Sequence, residues 1–317
     1  MLVTGATGFI GSHLCRTLTA DGWTVSGVTR DESRAPSHAD LDVEWATADV
    51  RDGAAVRRAV EGHDAVFHLA GVGLLSAAPE TVSAVNVEGT KNVLEASLAA
   101  GVDRVVVTGT AGTRRRASGP ATEADVAPPV GAYQRSKARA EALVDDYVER
   151  GLDVVTALPT SVFGPGDWTF TARLLSLAVN PAMVAYLPGG ASIVGVGDVV
   201  DGLCATMERG RPGEAYLLGG SNLTFGETVR ILARRAGGTA PRIRVPAACV
   251  HGLGLVAEAV NGAFGTRFFP GTYEMSRLLT TELYHTSAKA ERELEYSPEP
   301  LHAHAAEAID WYREACD

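Results

Sequence analysis

The sequence predicts an α/β protein with a doubly wound parallel sheet and a smaller, mostly helical C-terminal lobe. The first half of the 317 residues alternates short apolar strand patterns with amphipathic helix patterns, which is typical of parallel sheets. In addition, three glycines, Gly5, Gly8 and Gly11, lie between the first strand pattern and the first helix pattern. Glycines spaced in this way between a strand and a helix are typical of loops that bind phosphate groups.

This glycine loop follows an apolar strand that ends with Leu2 and Val3, and a helix pattern covers residues 12–18. The first glycine permits a tight turn, the second lets a pyrophosphate approach the backbone, and the third lets the helix pack closely on the sheet. The helix N-terminus then offers N–H groups and the positive end of its dipole to phosphates. The loop therefore predicts a dinucleotide site.

The remaining elements of the first half follow in the same rhythm. Strand patterns cover residues 23–28, 43–47, 65–69, 104–108 and 154–158. Helix patterns cover residues 54–60, 82–100 and 132–150. Each helix pattern is followed by a glycine within two residues, as is common at helix ends. Right-handed crossovers between such strands give a doubly wound sheet.

The rhythm changes after Gly164-Pro165-Gly166. The later patterns are helices over 170–179, 199–209 and 301–315, and strands over 193–196 and 215–218. We expect the strand at 215–218 to return to the main sheet. The chain therefore divides into a dinucleotide-binding domain over residues 1–165 and a substrate-binding lobe over residues 166–317.

Composition narrows the class of protein. The net charge is −10, which disfavours a nucleic-acid partner. The four cysteines are far apart, so neither a disulfide framework nor a metal site is predicted. The apolar stretch 247–264 contains His251 and Glu258 and is interpreted as a buried helix, not a membrane span. Because the chain starts directly in a strand, we expect no signal peptide and a cytoplasmic protein.

A tyrosine and a lysine carry the candidate chemistry. Tyr133 and Lys137 are four residues apart and share one helix face after the fifth strand. An ammonium group lowers the pKa of a neighbouring phenol, so the pair can exchange a proton with a carbonyl or alcohol oxygen while a hydride moves. Thr110, at the end of the fifth strand, is the candidate hydrogen-bond donor to the reacting oxygen. The alternative is a turn threonine that bonds the backbone.

Together these motifs resemble the extended short-chain dehydrogenase/reductase superfamily, in its NAD-dependent epimerase/dehydratase family, whose fold is the Rossmann fold. The resemblance rests on the glycine loop, Tyr133 and Lys137, and four further stretches that occur in the family's order. These stretches are Asp49-Val50, His68-Leu69-Ala70-Gly71, Asn86-Val87-Glu88-Gly89-Thr90 and Val162-Phe163-Gly164-Pro165-Gly166-Asp167. The C-terminal part is similar to the dihydroflavonol-reductase-like and hopanoid-associated sugar-epimerase-like branches.

The resemblance implies roles for the matching residues. It implies catalytic roles for Thr110, Tyr133 and Lys137. It implies a cofactor site formed by Gly5, Thr7, Gly8, Phe9, Ile10, Gly11, Asp49, Val50, Leu69, Ala70, Gly71, Lys137, Pro159 and Val162. Two departures matter. Ala111 and Gly112 stand where many sugar-nucleotide dehydratases carry an acidic residue, and Gly195 begins a stretch that is commonly His-Val-Asp-Asp.

The second strand ends with Arg30, where an NAD-specific site normally carries an acidic residue. Arg30, helped by Arg34, suits a 2′-phosphate and favours NADP(H). Asp31 keeps NAD(H) as the alternative, and a solvated loop charge is a further interpretation of Arg30.

Other features have two interpretations each. The Arg114–Arg116 run either binds an anionic group or is a solvated loop, the latter being the commoner case. His68 is interpreted as structural. The aromatic tail of Phe264, Phe268, Phe269, Tyr273 and Met275 either lines an apolar pocket or packs in the core.

Three functions remain open at this point. The favoured one is an NAD(P)-dependent reductase or dehydrogenase with Tyr133 as the acid/base. The alternatives are a sugar-nucleotide epimerase that retains its cofactor and, third, a dinucleotide sensor without catalysis. The expected partner is a small-molecule substrate, with a homodimer as the candidate assembly and no nucleic acid or membrane partner.

Overall fold

A computed structural model of the chain describes residues 1–31, 42–73, 78–168, 170–179, 184–264 and 273–316. The first half contains five strands that alternate with helices up to the end of β5. They are β1 (Leu2–Thr4), α1 (Phe9–Ala20), β2 (Ser26–Thr29), β3 (Glu44–Thr47), α2 (Gly53–Val60), β4 (Ala65–His68), α3 (Pro79–Ser83), a π-helical turn (Ala84–Glu88), α4 (Gly89–Ala100) and β5 (Arg104–Thr108).

The second half begins with the helix that follows β5 and contains the C-terminal helices. Its elements are α5 (Gly131–Glu149), β6 (Val154–Pro159), β7 (Ser161–Phe163), α6 (Phe170–Val179), β8 (Ala185–Tyr186), β9 (Gly190–Gly195), α7 (Val196–Arg209), β10 (Ala215–Leu218), β11 (Ser221–Thr224), α8 (Phe225–Arg235), β12 (Ile243–Arg244), α9 (Ala247–Phe264), α10 (Tyr273–Leu278), β13 (Glu282–Leu283), α11 (Ala288–Leu294) and α12 (Leu301–Cys316).

The central sheet has seven parallel strands in the order β10-β6-β5-β4-β1-β2-β3. The strand order therefore reverses between β1 and β4, which opens a crevice at the carboxyl ends of these two strands. The doubly wound parallel sheet is thus confirmed. The return of the strand at 215–218 is also confirmed, since β10 pairs with β6 from Ala215 opposite Thr156 to Leu218 opposite Pro159.

Apolar side chains bury both faces of this sheet. One face packs against α1 and α7, with Leu14, Phe67 and Leu203 in a shared cluster. The opposite face packs against α2, α4 and α5, with Val93 and Val144 in a second cluster. Both faces of a parallel sheet need such cover, which is why the central strands β4, β5 and β6 are mostly apolar.

The C-terminal part adds a smaller set of short strands around β9. This strand pairs with β7 and β13 in parallel and with β11 in antiparallel orientation, and β8 pairs with β12. A third apolar cluster joins α6, α8 and α12. No helix among the described residues is long and apolar enough to cross a membrane. The pattern over 247–264 forms α9, but its interpretation as a buried helix is wrong: the face with Val250 and Ala257 is buried, whereas Leu253, Leu255 and Val256 are 70%, 55% and 60% exposed. Division of the chain at residue 165 stays a prediction, because β10 from the later part completes the main sheet.

Three elements differ from the predicted bounds. The second strand begins at Ser26 and not at residue 23, and Trp23 is 52% exposed. The first helix begins at Phe9 because the extended residue Gly8 is its N-cap. The helix predicted over 82–100 is interrupted by the π-helical turn, which adds a wide turn before α4.

Candidate functional site

The predicted site residues lie at the carboxyl edge of the parallel sheet. The glycine loop follows β1, Arg30 follows β2, Asp49 and Val50 follow β3, and Leu69–Gly71 follows β4. Thr110 follows β5, while Pro159 ends β6 and Val162 lies in β7. Parallel strands end at one edge of a sheet, so residues far apart in sequence converge there.

Close backbone contact explains the outer two glycines of the loop. Gly5 has a φ of +73°, and a Cβ there would lie 2.8 Å from the backbone nitrogen of Ala70. A Cβ on Gly11 would lie 2.1 Å from the carbonyl oxygen of Gly5. The β1–α1 loop and the loop after β4 therefore pack together with no room for a methyl group.

The first turn of α1 offers backbone N–H groups at this crevice. Its N-cap, Gly8, is exposed and supplies no side-chain hydrogen bond to the helix, among the residues described. The missing Cβ atoms and this uncapped turn fit a negatively charged diphosphate. Thr7, Phe9 and Ile10, all partly exposed, complete the loop. These residues would hold the diphosphate of a nicotinamide dinucleotide.

The loop after β7 packs onto the start of α1. The His13 Nε2 atom lies 2.9 Å from the carbonyl oxygen of Pro165, and the rings of Phe9 and His13 meet edge-on with centroids 5.9 Å apart. A Cβ on Gly166 would lie 3.5 Å from the Phe9 ring. The segment Gly164-Pro165-Gly166 therefore borders the glycine loop. The sequence predicted the order of these two segments along the chain but not their contact.

Asn86, in the π-helical turn, fixes the loop after β4. Its Oδ1 accepts from the Val72 N–H at 2.8 Å, and its Nδ2 donates to the Val72 carbonyl at 3.1 Å and to the Ser136 Oγ at 2.9 Å. Asn86 thus ties the loop that contains Gly71 to helix α5. The motif that contains Asn86 predicts no role for this residue by itself, because the π-helical turn has no local signature.

His68 is a structural residue, as interpreted from the sequence. Its Nδ1 lies 2.8 Å from the Thr4 Oγ1, and its Nε2 lies 3.0 Å from the Thr90 Oγ1. Burial, with a smaller contribution from the positive charge of Lys137, lowers the pKa of His68 to about 3. The neutral imidazole links β1 and β4 to α4, and the Thr4 Oγ1 in turn accepts from the Ala70 N–H at 3.2 Å.

Thr110, Tyr133 and Lys137 converge where α5 crosses the end of β5. A hydrogen bond from the Thr110 side chain acts to lower the pKa of the Tyr133 phenol. The Thr110 Oγ1 also accepts from the Gly112 N–H at 3.2 Å, which leaves its own proton for Tyr133. The Lys137 Nζ donates to the Thr108 carbonyl oxygen at 2.8 Å. The structure therefore brings these three predicted residues together.

Burial dominates the ionisation of this group. It raises the pKa of Tyr133, and the hydrogen bond from Thr110 only partly offsets it. Burial also lowers the pKa of Lys137 to about 8. The expectation that a nearby ammonium lowers the tyrosine pKa is therefore wrong for the protein by itself, because removal of the phenolate from water has the larger effect.

Arg30 is exposed at the end of β2, near the residues that follow β3. Asp49 is paired mainly with Arg51, whose Nη2 lies 2.6 Å from the Asp49 Oδ2. The hydrogen bond from Arg51 is the main cause of the lowered pKa of Asp49, and the charge of Arg30 contributes a smaller part. The Val50 carbonyl accepts from the Asn92 Nδ2 at 2.8 Å. Arg34 lies outside the described residues.

One of two further expectations is wrong, and the other stays a prediction. Arg114 is neither a solvated charge nor an anion site, because it is buried and paired with Glu141 on α5. Tyr273 and Met275 are partly buried, whereas Phe268, Phe269 and the side chain of Phe264 lie outside the described part of the chain.

The resemblance predicts a histidine at position 195, where this chain has glycine. A histidine from another element occupies that space. A Cβ on Gly195 would lie 2.5 Å from the ring of His304, which comes from α12. The His304 Nε2 lies 2.8 Å from the Asp198 Oδ2 on α7. An imidazole therefore occupies this space although β9 ends with glycine.

Comparisons with known proteins agree with this architecture. A model of the NAD-dependent epimerase/dehydratase family matches residues 1–219. Sterol demethylase protein B of Methylococcus capsulatus is 32% identical, and the match covers 99% of this chain and 98% of that protein. A putative dihydroflavonol 4-reductase of Synechocystis is 29% identical, with 98% and 94% covered.

A solved structure gives the same picture. The dTDP-glucose 4,6-dehydratase double mutant of Streptomyces venezuelae, crystallised with NAD bound, has a TM-score of 0.78 and 26% identity. The match covers 99% of this chain and 96% of that chain. The family resemblance drawn from the motifs is confirmed.

The glycine loop gives the first prediction. Gly11→Ala should destabilise the fold by about 1–3 kcal/mol, because the new methyl group displaces the Gly5 backbone. It should also weaken dinucleotide binding. Thermal unfolding and cofactor titration measure the two effects.

The matched control is Gly252→Ala on α9, where an added Cβ meets no atom within 4 Å. This change should leave binding intact and keep or raise the stability. Equal behaviour of the two variants would contradict the packing described for the loop.

Proposed function

The chain belongs to the NAD-dependent epimerase/dehydratase family of enzymes, and we propose that it is an NAD(P)-dependent oxidoreductase. It transfers a hydride between the nicotinamide and a carbonyl or secondary alcohol of a small molecule. The observation that carries this proposal is the group of Thr110, Tyr133 and Lys137 at the crevice edge.

Each side chain has a distinct part in the proposed reaction. The bound nicotinamide supplies or accepts the hydride. The Tyr133 phenol donates its proton to the carbonyl oxygen during reduction, and the phenolate recovers it from the alcohol in the reverse direction. In place of the bond to the reacting oxygen predicted from the sequence, the Thr110 hydroxyl donates to the phenol oxygen and so stabilises the phenolate that forms.

Lys137 has an electrostatic part. At pH 7, below its pKa of about 8, its side chain is mainly an ammonium group. The Thr108 carbonyl holds this ammonium one turn from Tyr133 on α5. The positive charge stabilises negative charge that develops on the phenol and on the substrate oxygen. Lys137 also has two further N–H donors for the ribose hydroxyls of the cofactor.

Burial keeps Tyr133 in the protonated form that carbonyl reduction requires. Because its pKa is raised, Tyr133 is a neutral phenol near pH 7 and is ready to donate a proton to a carbonyl. The similarity to a putative dihydroflavonol 4-reductase, whose name describes a carbonyl reduction, supports the same direction. Ala111 and Gly112 offer no carboxylate beside Thr110 for elimination chemistry.

We propose NADP(H) as the preferred cofactor because Arg30 is exposed at the end of β2, where it can pair with a 2′-phosphate. NAD(H) is the alternative. It is supported by the family description and by the NAD-bound dehydratase. The family description, which names epimerases first, supports the second candidate function, a sugar-nucleotide epimerase that retains its cofactor. A homodimer and a cytoplasmic location stay predictions.

The acid/base role predicts a selective loss of turnover. Tyr133→Phe removes the proton donor and should lower kcat by about 10²–10⁴-fold. Cofactor affinity should stay close to that of the parent protein, because the crevice is unchanged. Steady-state kinetics and cofactor titration measure the two quantities. Turnover near the parent rate would overturn the mechanism.

The cofactor preference predicts a selective loss of affinity. Arg30→Ala should weaken NADP(H) binding by about 1.5–3 kcal/mol and leave NAD(H) binding nearly unchanged. Calorimetric titration of both cofactors measures this difference. Arg58→Ala, an exposed arginine on α2, is the control. Equal losses for both cofactors, or a parent preference for NAD(H), would refute the role of Arg30.

Reductase and epimerase differ in cofactor balance. We expect one NADPH to be oxidised for each carbonyl reduced. Nicotinamide absorbance, recorded together with product chromatography, measures this ratio. An epimerase would invert a chiral carbon over many turnovers while total reduced cofactor stays constant. That second result would replace the reductase proposal with the alternative.

A further inference from the structure

Arg114 lies one short turn beyond Thr110 and reaches the helix that contains Tyr133. A 3₁₀ turn over Ala111–Thr113 joins Thr110 to Arg114, whose side chain is only 5% exposed. Its Nη2 donates to the Glu141 Oε1 in a short contact, and its Nη1 donates to the Glu141 Oε2 at 3.2 Å. Glu141 is one turn beyond Lys137 and shares the face of Tyr133 and Lys137.

The guanidinium also reaches back toward Thr110. Its Nη1 donates to the Thr113 Oγ1 at 2.7 Å, and the Thr113 Oγ1 donates to the Thr110 carbonyl oxygen at 2.9 Å. The Nε donates to the Glu123 carbonyl at 2.6 Å. An unbroken chain of hydrogen bonds therefore runs from the Glu141 carboxylate on α5 to the backbone of Thr110.

We propose that Arg114 and Glu141 are positioning residues that hold the Thr110 hydroxyl in hydrogen-bonding distance of Tyr133. This inference rests on the proposed function, in which that hydrogen bond stabilises the phenolate. The arrangement is a two-point attachment of α5. Lys137 binds the Thr108 carbonyl on one side of Thr110, and Glu141 binds Arg114 on the other.

The geometry explains why an arginine and a carboxylate are suited to this place. The planar guanidinium binds both carboxylate oxygens and still has donors for Thr113 and Glu123. A lysine has one nitrogen and cannot span these acceptors. Removal of one partner of a buried ion pair also destabilises the protein, since the other charge is then left uncompensated.

The test reads the Tyr133 hydrogen bond directly and needs no substrate. The full-length protein is labelled with tyrosine that contains ¹³C at Cζ, and the Tyr133 signal is assigned from its absence in Tyr133→Phe. Thr110→Val removes the hydroxyl and defines the shift of an unpaired Tyr133. Glu141→Gln should move the signal in the same direction. The double variant Thr110→Val/Glu141→Gln should show no shift beyond Thr110→Val alone.

Two further variants serve as controls. Arg114→Lys keeps a positive charge beside Glu141 but loses the bond to Thr113, so it should also move the Tyr133 signal. Glu95→Gln breaks an exposed ion pair with Arg150 at the far end of α5 and removes a 3.0 Å bond to the Tyr147 phenol. Because the Tyr147 hydroxyl then donates to a neutral amide oxygen in place of a carboxylate, this variant should move the Tyr147 signal and leave that of Tyr133 unchanged.

Several outcomes would overturn the inference. A Tyr133 signal that stays in place in folded Glu141→Gln and Arg114→Lys would show that the pair only stabilises the fold. Full additivity in the double variant would show that Glu141 acts independently of Thr110. If Thr110→Val does not move the signal, the Thr110–Tyr133 bond is absent. The proposed function fails separately, if Tyr133→Phe keeps normal turnover.

Discussion

The attachment of α5 across the end of β5 is the constraint on which the site depends. In the proposed reaction Tyr133 acts on a substrate oxygen while its phenol is held beside Thr110, and these residues belong to different elements. Lys137 bonds to the carbonyl of Thr108, the last residue of β5, and Asn86 bonds to Ser136 on the same helix. The helix, the strand end and the loop after β4 therefore form one unit.

Burial gives this unit its electrostatic character. The same removal from water that raises the pKa of Tyr133 lowers that of Lys137 and keeps His68 neutral. The neutral phenol is a proton donor, and the nearby ammonium group stabilises the phenolate that remains after proton transfer. A negatively charged dinucleotide does not need a basic protein to bind, because the uncapped first turn of α1 presents N–H groups at the crevice.

Local patterns in the sequence predicted the fold and most positions of the site. The strands β1 to β6 and β10 have apolar runs bounded by turns, and glycines occur where backbones touch, as at Gly5 and Gly11. The four-residue spacing of Tyr133 and Lys137 placed both on one helix face. Roles that depend on partners far apart in the chain were missed or misjudged, because no local pattern encodes them.

Three cases show this limit. The arginine run predicts a charged loop, but Arg114 is buried and forms an ion pair with Glu141, 27 residues later in the sequence. His304 fills the space beside Gly195 although 109 residues separate them. Asn86 acquires its contacts through a π-helical turn inside what the sequence predicted as one continuous helix.

Transfer of a labelled hydride tests the central claim most directly. The parent protein is supplied with NADPH deuterated at nicotinamide C4, on each face in turn, and a carbonyl substrate. The account predicts that one face delivers one deuterium to the carbonyl carbon of every product molecule, as measured by mass spectrometry. Product that forms at the parent rate without deuterium from either face would contradict it.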